Sequence, residues 1–112
     1  MSNAWESLFA ATAVLASAGP IKQRLVDAFR THLASLNADE LPSELREEFS
    51  SISSTLQCVR PMRGETAVQA TVRKMSDIEA GNVARRIVNM LGALARQQNA
   101  PRTPKLRAVG ED

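Results

Sequence analysis

Aromatic side chains, cysteine, histidine and paired glycines are all scarce in this 112-residue chain, and each scarcity removes a class of protein. There is no tyrosine, and the aromatics are Trp5, Phe9, Phe29 and Phe49 alone. A core must then be built from Leu, Ile, Val, Met and abundant Ala, which favours close helix packing over strands that want aromatic and β-branched alternation. The lone Cys58 excludes an intramolecular disulfide and a cysteine-rich zinc site, and it points to a reducing, cytoplasmic compartment. Glycines stand singly at positions 19, 64, 81, 92 and 110, so no phosphate-cradling loop is present.

Long apolar runs are missing as well. The longest, Leu8 to Ala16, is about half of a bilayer span, so no membrane segment is expected. Ala16-Ser17-Ala18 has the small-x-small form of a signal cleavage site, but no Lys or Arg precedes it and Glu6 does, which is the wrong charge.

What is present is helical periodicity. The segment Ser76 to Gln98 is opened by a capping box, Ser76-Asp77-Ile78-Glu79, and contains no proline. Ala80, Val83, Ile87, Met90 and Leu94 form one stripe, with Ala84, Val88, Leu91 and Ala95 beside it. Together they span an apolar arc of about 160°, wide enough for a central helix contacted on two or three sides.

Four shorter helices are expected before it. The first runs from about Ala4 to Ser17 behind an Asn3 to Glu6 capping box, with Trp5, Leu8, Thr12 and Leu15 on one face. Gly19-Pro20 breaks the chain, and Ile21, Leu25, Phe29, His32 and Leu36 mark a second helix ending near Asn37. Pro42 opens a third, one-sided helix with Leu45, Phe49, Ile52, Leu56 and Val59. After the Arg60 to Gly64 loop, a Thr66 to Gln69 capping box starts a short fourth helix joined tightly to the long fifth. The expected architecture is an all-α, compact orthogonal or irregular bundle of about five helices over residues 1–98. Residues 99–112 read as a flexible tail.

Candidate chemistry is thin. His32 falls inside an apolar stripe and is the one special core position, where a partly buried imidazole needs a carbonyl or carboxylate partner. No base, nucleophile or ligand set accompanies it, so no catalytic, cofactor or metal residue is assigned and no enzyme is expected. Glu44, Glu47 and Glu48 enrich the start of the third helix, where negative charge meets the positive end of the macrodipole. A half-buried, inert thiol is expected at Cys58.

Charge is asymmetric. Residues 1–58 hold four Lys and Arg against seven Asp and Glu, whereas residues 59–112 hold ten against five. Arg85, Asn89 and Arg96 share a face of the last helix, and Arg102, Lys105 and Arg107 line the tail. Gly81 and Gly92 lie inside that helix at a cost near 1 kcal/mol each, and with Ala93 they permit another helix to approach closely, within the fold or across a dimer. The reading is a small non-enzymatic interaction module, a homodimer or a protein that docks a protein partner. The alternative is a nucleic-acid-binding regulator using the basic half, although a short helix before a long apolar one matches a helix-turn-helix in outline only.

Overall fold

Local signals in the sequence set the element boundaries, and the computed structural model, which describes residues 4–99, shows five α-helices in the order α1 (Ala4–Leu15), α2 (Ile21–Ala28), α3 (Ser43–Leu56), α4 (Ala67–Arg73) and α5 (Asp77–Asn99). No strand occurs among the described residues, and the chain is an all-α bundle. Both internal capping boxes form. The Thr66 hydroxyl accepts from the Gln69 N–H at 3.2 Å while the Gln69 amide oxygen accepts from the Thr66 N–H at 2.8 Å. Ser76 and Glu79 make the same reciprocal pair at 3.0 and 2.8 Å. The proposed Asn3 cap and the tail from residue 100 lie outside the described residues.

The α1–α2 connection is held by one side chain. Gly19 adopts φ of +113°, a conformation that favours glycine, and lets the chain reverse before Pro20. Arg24 then donates to the carbonyls of Leu15 and Gly19, which close the end of α1. In the same way Lys22 donates to the Arg73 carbonyl at the end of α4, and Arg46 donates to the Leu41 carbonyl.

α5 is the central member, packed against α1, α2 and α3. Its Ala80, Val83, Ala84, Ile87, Met90 and Leu94 join a core that includes Leu8, Leu25, Leu33, Leu41, Ile52 and Leu56. As its narrow stripe implied, α3 is one-sided, burying Leu45, Phe49, Ile52 and Leu56. Among the described residues Thr71 is the polar residue buried as a whole, while only the hydroxyl of Thr12 is buried. The Thr71 hydroxyl donates to the Ala67 carbonyl and accepts from the Val59 N–H, pinning the loop after α3 to α4.

The second helix departs from the simple periodicity. α2 runs into a π-helical turn, Phe29–Leu33, closed by an Ala34 N–H to Phe29 carbonyl bond of 2.8 Å. The wider turn brings the residue four positions after Phe29 back to the core in place of the residue three after it. Leu33 is therefore buried and His32 is displaced to the side, half-buried. A 3-10 turn over Ala38–Glu40, capped by the Asn37 side chain, leads to the fully buried Leu41. On α1 the buried face is Ala4, Leu8, Ala11 and Leu15. Trp5 is half-buried and stacks at 6.1 Å on Phe9, which is 57% exposed.

Candidate functional site

The residues singled out in the last helix separate into two surfaces once it is packed. At about 100° per residue, Ile78, Gly81, Arg85, Val88, Gly92 and Ala95 fall on one slowly drifting line along α5, which starts on the solvent side at Ile78 and ends beside the buried Ala84. Ile78 is 77% exposed and Val88 41%, both large apolar side chains on the solvent side. Arg85 is exposed, and Gly81, Gly92 and Ala95 are half-covered. The expected inward position of Val88 is thus corrected. α1, α2 and α3 cover the Ile87 side of the helix, and Val88 lies 100° beyond it.

The glycines answer to nothing inside the molecule. A Cβ added at Gly81 would meet no heavy atom within 4 Å, and one at Gly92 would meet only the Arg96 guanidinium at 3.6 Å. Close helix approach within the fold, one of the two reasons offered by the sequence, is therefore absent at both positions.

Asn89 and Arg96 are exposed on the edge of this line and also rim a groove of about 260 Å³ between α3 and α5. Ala93 lies in that groove with Leu45 and Met90, half-buried against the core, so it does not extend the small-residue line of Gly81 and Gly92. Across the groove Arg86 donates to both Glu48 oxygens at 2.9 and 3.0 Å and to the Ser51 hydroxyl at 2.9 Å. Those bonds hold the Glu48 carboxyl below its usual range. Glu44 is also held low, by its own backbone N–H in the first turn of α3 and by the Gln97 side chain. At Glu44 the first-turn backbone bond comes first and Gln97 of α5 adds to it, whereas Glu48 serves a tertiary ion pair that no local pattern could show.

His32 opens onto a separate cleft of about 400 Å³, lined by Glu6, Ser7, Ala10, Ser35, Leu36 and Glu40. The imidazole makes no hydrogen bond among the described residues, and it is a cleft wall in place of the core position expected. No group of three or more His, Cys, Asp or Glu side chains is placed to hold a metal among the described residues. Cys58 is exposed, in contrast to the half-buried thiol expected, with its Sγ 3.4 Å from the Thr55 carbonyl.

Basic residues are partly taken up by the fold itself. Arg73 pairs with Glu65 at 2.7 Å, Arg86 pairs with Glu48, and Lys22, Arg24 and Arg46 close helix ends and turns. Arg85 and Arg96 have no such partner among the described residues. Arg102, Lys105 and Arg107 lie outside the described residues. No described helix is long and apolar enough to cross a membrane. No protein-family model, curated protein or solved structure matches this chain.

Proposed function

We propose that this protein is a small, non-enzymatic helical interaction module that self-associates through the outer line of α5. The observation that carries the reading is the pair Gly81 and Gly92. Each weakens the middle of the central helix by about 1 kcal/mol relative to alanine, and neither is required by any contact inside the monomer. Glycines on an outward face, in line with exposed Ile78 and Val88, suit a surface that another helix approaches closely.

A cytoplasmic setting accords with the single exposed thiol. Light scattering after size exclusion tests the proposal. A mass near twice 12.2 kDa is expected at tens of micromolar protein, and the monomer mass at that concentration removes it.

Arg85 and Arg96, exposed and without an acidic partner among the described residues, favour a second reading, contact with nucleic acid phosphates. Such binding falls steeply with salt as counterions are released. Titration of duplex DNA at low and physiological salt separates the two. Binding weaker than about 10⁻⁴ M at physiological salt is expected, and submicromolar binding lost in Arg85→Glu with Arg96→Glu reverses the order.

A further inference from the structure

We infer that the cleft beside His32 is a docking surface for a basic segment, and that its occupant is the chain's own residues 101–107. The cleft, of about 400 Å³, is lined by apolar Ala10 and Leu36 and by two carboxylates, Glu6 and Glu40. Both carboxylates are exposed, and neither makes an ion pair or a side-chain hydrogen bond among the described residues. No Lys or Arg lines the cleft. Arg46, which reaches the same turn as Glu40, donates to the Leu41 and Asp39 carbonyls. A cationic side chain entering here gains a charge-assisted bond without displacing a partner already in place.

Residues 101–107 match the cleft in sign, pattern and position. They read Pro-Arg-Thr-Pro-Lys-Leu-Arg, with three basic side chains, no acidic one, and Leu106 between Lys105 and Arg107. Such a run sets an apolar side chain on Ala10 and Leu36 while the long stems on either side of it carry their charges to Glu6 and Glu40. Position follows from the packing of α5. Gln97, close to its end, hydrogen-bonds Glu44 in the first turn of α3, and Glu40 stands in the 3-10 turn that precedes that helix. The chain therefore leaves α5 at the end of the bundle that holds the cleft. Residues 100–105 span up to about 20 Å when extended, whereas Glu44 and Glu40 are four positions apart. The groove between α3 and α5 opens at the same end, but Arg86 and Arg96 rim it and Glu48 is already paired there, so like charge turns the basic segment away. Exposed charge pairs are individually weak, and tethering at an effective concentration of about a millimolar makes them sufficient. The inference does not rest on the outer line of α5.

A nitroxide on the full chain reads the docking. In a Cys58→Ser background, Ala108→Cys puts the label next to the basic segment, and paramagnetic broadening of backbone amides is compared with that in the same chain carrying Glu6→Gln and Glu40→Gln. Both glutamates are exposed and without a partner among the described residues, so the fold is kept. The tether is identical in the two chains. Strong broadening at Ser7 and Ser35 is expected in the parent, with Gly19 beyond the far end of α1 unaffected, and it is expected to be largely lost in the glutamine pair. The reciprocal change, Lys105→Gln with Arg107→Gln, is expected to remove it as well. Broadening that is equal in the parent and both charge variants comes from the tether alone and overturns the docking, as does its absence at Ser7 and Ser35. Mixing isotope-labelled chain that lacks the nitroxide with unlabelled chain that carries it separates the copies. Broadening at Ser7 in that mixture means that the segment comes from a second copy, which overturns the intramolecular placement.

Discussion

The two long faces of α5 repeat at the same spacing of three and four residues and meet different fates. Ala80, Val83, Ile87, Met90 and Leu94 are buried against three helices, whereas on the other line Ile78, Arg85 and Val88 are exposed and Gly81, Gly92 and Ala95 are half-covered. Side-chain size separates them. The inner line carries a Val, an Ile, a Met and a Leu that fill space between helices, and the outer line mixes Ile78, Arg85 and Val88 with Gly81, Gly92 and Ala95. A line of that second kind fills little of the core. In this helix, stability and recognition are therefore assigned to opposite sides of one backbone.

The contrast is most directly broken by charge. Ile87→Asp, which buries an unpaired carboxylate where exposure is 1%, is expected to abolish the cooperative melt, a loss of about 4 kcal/mol or more. Val88→Asp, the next residue, is expected to keep the melting curve of the monomer within about 0.5 kcal/mol while the dimer disappears by light scattering. Equal damage from both would erase the distinction between the faces.

Smaller changes sharpen it. Ser76→Ala removes the hydroxyl that caps the start of both faces at once and is expected to cost about 1 kcal/mol in denaturant melts. An unmoved midpoint would mean that the break between α4 and α5 is held by packing alone. At the outward glycine the sign reverses: Gly81→Ala has room for its methyl group and is expected to raise monomer stability by up to about 1 kcal/mol while weakening the dimer. Loss of monomer stability would show that something inside the fold needs that glycine.

The edge of the inner face offers the smallest effect. Hydrogen bonds from Arg86 depress the Glu48 carboxyl, so the pair stabilises the fold at neutral pH, and this contribution fades as pH falls through the lowered folded value. Both side chains are about a third exposed, 33% and 39%, and solvent screens them. Glu48→Gln is accordingly expected to cost no more than about 1 kcal/mol at pH 7. Its gap to the parent should narrow in acid, and a gap that stays constant in acid melts would mean that the lost interaction is not one of charge.

Much of this organisation is local, and local organisation was legible. The capping boxes at Thr66 and Ser76, the breaks at Gly19-Pro20 and Pro42, the one-sided stripe of α3 and the Ile87 line of α5 follow from hydrogen-bonding groups and periodicities within a few residues of each other. Such terms act whatever surrounds them. Periodicity does not say which turn will widen, so His32 was read into the core, and the π-helical turn after Ala28 gave that place to Leu33. Nor does it say how far neighbouring helices reach around an apolar arc. Val88 was counted as interior because the arc of α5 is wide, yet its neighbours cover only the Ile87 side of it. The same limit hid the Arg86–Glu48 bridge, whose partners lie 38 residues apart, and the Thr71 hydroxyl that ties down the loop after α3. The sequence by itself determined five helices, their starts and the face of α5 that must be buried, because capping and amphipathicity are short-range properties. Which apolar residues remained outside, and so which surface is available to a second chain, was decided only by the tertiary structure, since exposure depends on where the other helices stop.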